Sequence, residues 1–457
     1  MTDAAKTAQE RAAQELGRGF PAGFRWGAST SAYQIEGAAA EDGRKPSIWD
    51  IRSRIKGKTA NGDTGDVAAD HYHRYREDIA LMRDAGMQVY RFSTAWPRIL
   101  PRGRGTVNPA GVDLYDRVID ATLEAGIEPW LCLYHWDLPF ALEAVGGWTN
   151  RDCAYWFADY AAVVAQRYGD RVKHYITFNE SSVFTVFGYS MDWAAPGIID
   201  KVAHLKATHH VNLAHGLGVD VVRDLVKGAK IGCVHNNQRV IPEKDTPENV
   251  QAAALLDAFW NGAFPDPQNL GHYPPLLAEL MEPHMQAGDL ARICRPCDFF
   301  GLNHYGPIFA KAEPKNIWGF GWGSAPEDAD KTDMGWPIFP EEFTTELIHL
   351  TKRYKLPIYV TENGCNTEDV PNEAGVVNDP KRITYLTRYI TAMLKAIAEG
   401  ADVRGYMVWS LLDNFEWGSG YTNRFGIIHV DFETLKRTPK ASYYWYRALI
   451  AASRAKA

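Results

Sequence analysis

Short apolar segments alternate with longer amphipathic segments along most of the chain. The short segments are rich in β-branched and aromatic residues, which is typical of buried strands. They cover residues 24–30, 89–96, 128–136, 174–179, 230–235, 299–305, 358–362 and 404–411. In the longer segments apolar residues recur at intervals of three and four, which predicts helices. These cover residues 68–85, 109–125, 151–168, 204–226, 247–264, 341–354, 380–399 and 441–455.

Eight consecutive strand–helix units indicate one parallel barrel rather than separate domains. The length of 457 residues fits a single barrel with long loops. We therefore predict an α/β fold, a single (β/α)8 TIM barrel over residues 20–457, with elaborated loops at the C-terminal face of the strands. Residues 1–19 are polar and charged, so we expect a flexible segment there and neither a signal peptide nor a membrane span.

Composition and charge narrow the classes of function. The net charge is −7 and no cluster of lysine and arginine stands out, which argues against a nucleic-acid or membrane-binding role. Six scattered cysteines do not form a disulfide framework, so we expect a reduced, cytoplasmic protein. The single Cys294-x-x-Cys297 motif has no partner pair, and we predict no metal site. An aromatic content of 12% is compatible with stacking against sugar rings.

Two of the predicted strands end on a glutamate. Glu180 follows the strand over residues 174–179, and Glu362 ends the strand over residues 358–362 just before Gly364. A single glutamate in such a position is most often a solvated strand end. Two carboxylates at the same face of a barrel are, however, what the cleavage of a glycosidic bond requires. The pair therefore favours a glycosidase.

Other polar and aromatic residues lie at or near the ends of the predicted strands, where barrel enzymes carry their chemistry. In chain order they are Gln34, Arg91, His135, Trp136, Asn179, Asn303, Tyr305, Trp409, Glu416 and Trp417. Structural roles are open for several of them. Arg91 can neutralise a buried carboxylate, His135 and Trp409 can belong to the core, and Gln34 can cap a turn.

The segments around the two glutamates resemble the signatures of a known family. Thr177-Phe178-Asn179-Glu180 and Val360-Thr361-Glu362-Asn363-Gly364 are similar to the acid/base and nucleophile motifs of the family 1 glycoside hydrolases, the β-glucosidase family. The resemblance extends from Phe24-Arg25-Trp26-Gly27 to Arg437-Thr438-Pro439-Lys440 and thus covers nearly the whole chain. It implies a (β/α)8 barrel with Glu180 as acid/base and Glu362 as nucleophile.

The resemblance also implies roles for the residues near the strand ends. The expected sugar-binding residues are Gln34, His135, Trp136, Asn179, Trp409, Glu416, Trp417 and Phe425. Arg91, Asn303 and Tyr305 are expected to support the catalytic carboxylates, and a cis peptide bond is implied after Trp409. No metal or organic cofactor is expected.

The implied function is a retaining β-glycosidase that hydrolyses terminal non-reducing β-D-glucosyl residues by double displacement through a covalent glycosyl-enzyme. We expect a small-molecule β-glucoside or a short β-linked oligosaccharide as substrate, with side activity on β-D-galactosides or β-D-fucosides. A transglycosidase on the same site and a non-catalytic carbohydrate-binding barrel are the alternatives. The sequence leaves open whether the protein is a homo-oligomer.

Loops beyond the strands carry further candidates. Trp193 follows the acid/base strand, and Trp318 and Trp322 lie in the loop after the sixth strand. These rings either line an apolar site for the leaving group or pack the loops together. Phospho-specific relatives carry small residues in place of Glu416-Trp417 and a Lys-x-Tyr clamp where residues 423–425 read Asn-Arg-Phe. We therefore expect unphosphorylated glucosides as substrates.

Overall fold

The protein is a closed barrel of eight parallel strands surrounded by helices in a computed structural model that describes residues 3–455. We number the barrel strands β1 to β8 in chain order. Their bounds are β1 (Arg25–Ser29), β2 (Val89–Ser93), β3 (Glu128–Cys132), β4 (His174–Asn179), β5 (Lys230–Asn236), β6 (Phe299–Asn303), β7 (Ile358–Asn363) and β8 (Val403–Trp409). Each strand pairs with its neighbours in chain order, and β8 closes on β1. The predicted (β/α)8 fold is confirmed.

The barrel is filled by side chains, as is usual for this fold. A buried cluster inside it takes residues from six strands, and the partly buried Tyr359 of β7 packs against it. Its members are Val89, Trp130, Cys132, Ile176, Val234, Phe299 and Met407. Large rings such as Trp130 close the lower part of the barrel, so an open site can form only at the other end.

Eight principal helices cover the outside of the barrel, one after each strand. They are α1 (His71–Asp84), α2 (Pro109–Glu124), α3 (Asp152–Tyr168), α4 (Lys201–Leu225), α5 (Pro247–Asp257), α6 (Pro340–Tyr354), α7 (Pro380–Ala398) and α8 (Ala441–Arg454). Their apolar stripes face inward; in α7, for example, Ile383, Leu386, Ile390 and Met393 are buried. Local signals fix the ends: Asp200 caps α4 by accepting a hydrogen bond from the Ala203 amide.

Shorter elements decorate the loops. Short helices span Ala32–Ile35, Ile48–Ser53, Trp96–Ile99, Phe140–Glu143, Ser181–Tyr189, Pro265–Asn269, Pro275–Met281 and Asp289–Ile293, with single turns at Ala60–Gly62, Gly147–Thr149, Glu282–His284 and Trp417–Ser419. Small sheets are formed by Val240–Pro242, Ile308–Ala312 and Phe320–Trp322, and by Ile428–Val430 and Arg437–Pro439. The helix predicted over residues 247–264 ends earlier, at Asp257, and continues as a π turn over Ala258–Gly262.

The N-terminal segment differs from the sequence prediction. Residues Asp3–Gly17 form a helix that packs against α8, whereas we predicted a flexible segment over residues 1–19, of which residues 1 and 2 lie outside the described part of the chain. The contact is close, because a Cβ placed on Gly17 would lie 2.3 Å from the Leu449 carbonyl oxygen. Ala13 and Phe20 are fully buried there. No helix within residues 3–455 has both the length and the apolar character needed to cross a membrane.

The register between strands decides which residues meet at the C-terminal face. Ser29 of β1 lies level with both Arg91 of β2 and Trp409 of β8. On the opposite side of the barrel Asn303 of β6 lies level with Asn236 of β5 and Glu362 of β7. Amide and carboxylate side chains from adjacent strands are thereby brought next to one another.

Candidate active site

A cavity of ≈610 Å³ opens at the C-terminal ends of the strands. Its size is typical of a small-molecule site. Most of the residues predicted from the sequence line it, namely His135, Trp136, Glu180, Trp193, Tyr305, Trp322, Glu362, Trp409, Glu416, Trp417 and Phe425. The two strand-end glutamates, which are far apart in the sequence, therefore share one pocket.

Four predicted residues lie behind the lining and hold it in place. Gln34, Arg91, Asn179 and Asn303 are fully buried. The Arg91 guanidinium bridges two strands, since it donates one hydrogen bond to Glu362 Oε1 and another to Asn179 Oδ1. Asn303 Nδ2 also donates to Asn179 Oδ1, over 3.0 Å. The pocket floor is thus one connected hydrogen-bond network.

Glu362 is held as a carboxylate by two donors. Its Oε1 forms a 2.5 Å ion pair with Arg91 Nη1, and its Oε2 accepts a 2.8 Å hydrogen bond from the Tyr305 hydroxyl. Both partners are buried, so water does not compete for these contacts. Burial raises the pKa of Glu362, and the positive charge of Arg91 and the Tyr305 hydrogen bond oppose that rise. A carboxylate fixed in this way cannot easily rotate, which suits a nucleophile.

Glu180 has a different environment. Among residues 3–455 its Oε1 accepts hydrogen bonds from two amides, Asn236 Nδ2 at 2.7 Å and Asn303 Nδ2 at 2.9 Å. Burial and the nearby charge of Glu362 raise the pKa of Glu180 to about 8. The group is therefore protonated at neutral pH, which is the state that a general acid needs.

A third carboxyl group, Glu416, also lines the pocket. Gln34 Nε2 donates a hydrogen bond of 3.3 Å to Glu416 Oε2. Burial, together with repulsion by Glu362 and Glu180, raises the pKa of Glu416 to about 8. Glu416 can therefore both donate to and accept from the hydroxyl groups of a bound sugar.

His135 is a neutral imidazole. Burial and the positive charge of Arg91 hold its pKa well below the ordinary value. Its Nε2 lies 3.0 Å from Asn179 Nδ2 and accepts that amide proton, which leaves the proton of the ring on Nδ1. Within residues 3–455, Nδ1 has no hydrogen-bond partner. His135 itself lines the pocket.

Aromatic rings form the walls. Trp136 stacks on Trp417 with ring centroids 4.6 Å apart, and Trp409 forms a buried cluster with Tyr305 and Phe425. The Trp409–Ser410 peptide bond is cis, as the family resemblance implied. Flat apolar faces bordered by hydrogen-bonding groups are suited to a pyranose ring, whose faces are C–H and whose edges are hydroxyl.

Three residues of the pocket have left-handed backbone conformations that non-glycine residues rarely adopt. They are Trp136 with φ 75°, Glu180 with φ 51° and Trp417 with φ 51°. Such conformations tend to gather at binding and catalytic sites, where the surrounding structure imposes them. Their concentration here points independently to the same pocket.

The mouth of the pocket is also aromatic. Trp193 is 51% exposed and lies 5.3 Å from Trp322 and 5.2 Å from Phe187, measured between ring centroids. The preceding Asp192 is fixed by ion pairs with Arg52 and Lys58. Trp193 is therefore a solvent-facing ring on a well-anchored loop.

Trp318 corresponds to the second of the two alternatives that the sequence left open, loop packing, because it does not line the pocket. Its indole nitrogen donates to His204 Nδ1 over 2.9 Å, and its ring packs against Phe259. Of the three loop tryptophans proposed for the leaving-group side, the structure thus brings Trp193 and Trp322 to the mouth and leaves Trp318 in loop packing.

Several lining residues were not found from the sequence. They include Phe187, Asn236, Trp260, Met334 and Trp336. Asn236 ends β5, so the rule that led to the other strand-end candidates applies to it equally. Trp260 had no such signal, because it belongs to the π turn, and yet its indole donates to Asn236 Oδ1 over 3.2 Å.

No set of three or more histidine, cysteine, aspartate or glutamate side chains in residues 3–455 is arranged to hold a metal ion. Cys294 and Cys297 are both free thiols.

Comparisons with known proteins agree on one family. The sequence model of glycosyl hydrolase family 1 matches residues 17–455. Beta-glucosidase A of Thermotoga maritima is 44% identical over 436 residues, which cover 94% of this chain and 97% of that protein. The bifunctional beta-D-glucosidase/beta-D-fucosidase of Bifidobacterium breve is 42% identical, with coverage of 94% and 98%. The structure of the Thermotoga maritima beta-glucosidase in complex with glucoimidazole matches with a TM-score of 0.90 and 44% identity, and the match covers 95% of this chain and 99% of that one.

Proposed function

The chain belongs to glycosyl hydrolase family 1, and from this premise we propose that residues 20–457 form one catalytic domain that hydrolyses β-D-glucosides with retention of configuration. The proposed substrates are small β-glucosides and short β-linked oligosaccharides. Because the relative from Bifidobacterium breve is named for both glucosidase and fucosidase activity, we include β-D-fucosides, and also β-D-galactosides, as side substrates.

In the first step Glu362 attacks the anomeric carbon while Glu180 gives its proton to the leaving oxygen. The bond from the anomeric carbon to the leaving group breaks, and an ester forms between the sugar and Glu362. The contacts of Glu362 with Arg91 and Tyr305 support this role, because they fix the carboxylate as an anion. The raised pKa of Glu180 supplies the proton.

In the second step water replaces Glu362 at the anomeric carbon. Esterification removes the negative charge of Glu362, which is one cause of the raised pKa of Glu180. The pKa of Glu180 therefore falls once the intermediate has formed, so Glu180, which gave its proton to the leaving oxygen in the first step, stays ionised and can act as base toward the incoming water. If a sugar hydroxyl takes the place of water, the same residues carry out transglycosylation.

The sugar would be recognised around the far end of the pocket. Gln34, His135, Asn179, Glu416 and Trp417 are proposed as hydrogen-bonding groups. Trp409 would lie beneath the ring, with Trp136 and Phe425 completing the apolar wall. Support comes from the free Nδ1 of His135 and from the lining positions of the aromatic residues. Trp193 and Trp322 are proposed to contact the leaving group.

The observation that carries the proposal is the difference between the two glutamates, since Glu362 is paired with a guanidinium whereas Glu180 accepts hydrogen bonds from two amides. We test it with ¹H NMR during hydrolysis of 4-nitrophenyl β-D-glucoside. Retention requires that β-glucose appear first and that the α-anomer form only by mutarotation. Initial release of α-glucose would rule out double displacement, and no release of glucose would favour a non-catalytic sugar-binding barrel.

The pH dependence should report the proton on Glu180. Since the first step needs this proton, kcat/KM should fall as pH rises through the pKa of Glu180 in the free enzyme, about 8. ¹³C NMR of glutamate-labelled enzyme should show a lower pKa for Glu180 after Glu362 is esterified by a 2-deoxy-2-fluoroglucoside. Glu416 also has a pKa of about 8 and could cause the same fall in kcat/KM. The control is therefore Glu416→Gln, in which kcat/KM should still fall as pH rises through about 8. An unchanged pKa of Glu180 in the esterified enzyme would contradict the charge coupling.

The enzyme should discriminate against 6-phosphorylated glucosides. Three carboxyl groups, Glu180, Glu362 and Glu416, share the pocket, and Arg424 does not line it because it pairs with Asp413 at 2.7 Å. A 6-phosphate brings its negative charge into a pocket that already holds the Glu362 carboxylate, and it also meets Glu416, which repels it once ionised above about pH 8, so kcat/KM for an aryl β-glucoside should exceed that of its 6-phosphate by about 10²-fold or more at that pH. Steady-state kinetics on the two substrates measure the ratio. Glu416→Ser should lower this ratio. A higher kcat/KM for the 6-phosphate than for the plain glucoside in the unaltered enzyme would overturn the assignment of unphosphorylated glucosides as substrates.

A further inference from the structure

A second groove lies on the outer side of the barrel, apart from the catalytic pocket. Its volume is ≈590 Å³, within the range of small-molecule sites. Helix α6 forms one wall, and the π turn Ala258–Gly262 with the short helix Pro275–Met281 contributes to the other. None of the residues lining this groove lines the catalytic pocket.

Several charged residues of the groove are already paired. Asp266 accepts a hydrogen bond of 2.7 Å from Arg353 and another of 2.7 Å from the Tyr354 hydroxyl. Arg239 forms a 2.8 Å ion pair with Glu342. These groups need no ligand to balance their charge.

Glu346 is the exception. It lines the groove from α6 and is only 8% exposed. Among residues 3–455 no group donates a hydrogen bond to its carboxylate and no cation lies within ion-pair distance, although buried carboxylates are almost always paired. Burial and repulsion by Asp257 and Glu342 raise its pKa to about 7. The floor of the groove therefore carries an unpaired acid.

The rim adds a second carboxyl group, and the cations near it, Arg239 and Arg353, are already paired with Glu342 and Asp266. Asp257 is exposed and accepts one hydrogen bond of 2.7 Å, from Asn261 Nδ2. His349 is partly accessible to solvent, and partial burial of its ring together with the charge of Arg353 lowers its pKa, so that it is neutral at pH 7. The charge left unpaired in the groove is negative.

Apolar surface lies beside these acids. Leu276 projects into the groove while 57% exposed, and Ala258 and Pro274 line it nearby. A ligand that matches the groove thus combines a cationic head with an alkyl chain. The groove also shares the π turn with the catalytic pocket, because Trp260 lines one and Asn261 the other. Such turns often occur at functional sites.

We propose that this groove is a second binding site, specific for a small organic cation with a primary ammonium group that pairs with Glu346 at the floor and Asp257 at the rim. An ammonium group has three donors, which match two carboxylates that lack a cation. The alkyl chain of the ligand covers Leu276. The site does not depend on the hydrolytic reaction.

Isothermal titration calorimetry of the full chain with 1,4-diaminobutane tests the proposal, in the presence of saturating D-glucose to occupy the catalytic pocket. One site is expected, and its affinity should rise between about pH 6 and about pH 8.5, because Glu346 ionises over this range while the diamine stays charged. Glu346→Gln should weaken binding at least about tenfold, since it leaves the ammonium without its buried partner.

Glu341→Gln is the matched control. Glu341 lies on the same helix, is exposed and does not line the groove, so its replacement changes the net charge equally and should leave the affinity unchanged. Absence of binding to the unaltered chain, or equal affinity in the two variants, would overturn the proposal.

Thermal unfolding at about pH 8.5 gives a readout that needs no ligand. An unpaired buried carboxylate has a raised pKa, so its stabilising protonation is lost as pH rises through about 7. Glu346→Gln should therefore raise Tm at that pH, and Glu341→Gln should not. If Glu346→Gln does not fold, Asp257→Asn at the exposed rim replaces it, and an unchanged affinity for the diamine in that variant would equally overturn the proposal.

Discussion

Replacing Glu362 by glycine should lower kcat/KM for every β-glucoside by roughly 10⁵-fold or more, as is found when a covalent nucleophile is removed. The loss should be the same for good and poor leaving groups, because the substituted enzyme cannot form the ester with either. Arg91 would also lose the partner with which it forms a 2.5 Å ion pair. Steady-state kinetics on a series of aryl glucosides measure the effect.

Added azide tests the same assignment by restoring a reaction in the variant. In Glu362→Gly a small anion can enter the space of the missing carboxylate and attack the anomeric carbon, which should give α-glucosyl azide, identified by NMR. Tyr305→Phe is the graded control, because it removes one hydrogen bond of 2.8 Å from the same carboxylate. This substitution should lower kcat/KM by about tenfold to 10²-fold. If the loss of kcat/KM in Glu362→Gly depended on the leaving group, Glu362 would be the acid/base and Glu180 the nucleophile.

The barrel could be predicted from the sequence because its signal is local and repeated. Each strand is a short apolar run, each helix an apolar stripe, and eight such units leave few alternatives. The helix predicted over residues 109–125 is Pro109–Glu124, and the strand predicted over 174–179 is His174–Asn179. Where prediction and structure differ, as at the π turn after Asp257, contacts with distant segments are present: Asn261 in this turn donates a hydrogen bond to the Gln238 carbonyl and accepts one from the Gln238 amide.

The pocket could be predicted to the extent that its residues sit at strand ends. The fold places every strand end at one face, so Glu180 and Glu362 had to meet. The loops are different, because their course depends on pairing far along the chain. Trp318 and Trp322 have similar local sequences. Trp318 nevertheless donates a hydrogen bond to His204 on α4, whereas Trp322 lies at the pocket mouth.

The N-terminal helix escaped prediction for a related reason. A polar segment before the barrel lacks a core of its own, so its sequence favours flexibility. In the folded chain Ala13 and Phe20 are nevertheless buried, and the helix packs along α8, more than 400 residues away in the sequence. Only the closed barrel brings its two ends together in this way.

Replacing Glu180 by alanine should give a loss that depends on the leaving group. For alkyl glucosides and cellobiose, whose leaving oxygen needs a proton, we expect kcat/KM to fall by about 10²-fold to 10⁴-fold, the range of general acid catalysis. For 2,4-dinitrophenyl β-D-glucoside, which departs as a stable anion, formation of the glycosyl-enzyme should be nearly unaffected. The second step would then limit turnover, because no base activates the water.

Azide also distinguishes the acid/base from the nucleophile in this variant, because the expected azide product has the β rather than the α configuration. In Glu180→Ala the anion needs no base and can attack the glycosyl-enzyme on Glu362, so that added azide should raise kcat and give β-glucosyl azide. Asn236→Ala is the matched control: it removes the 2.7 Å hydrogen bond to Glu180 but keeps the carboxyl group. This variant should show a smaller loss and no azide product. Equal loss on activated and unactivated substrates in Glu180→Ala, without a response to azide, would contradict its assignment as acid/base.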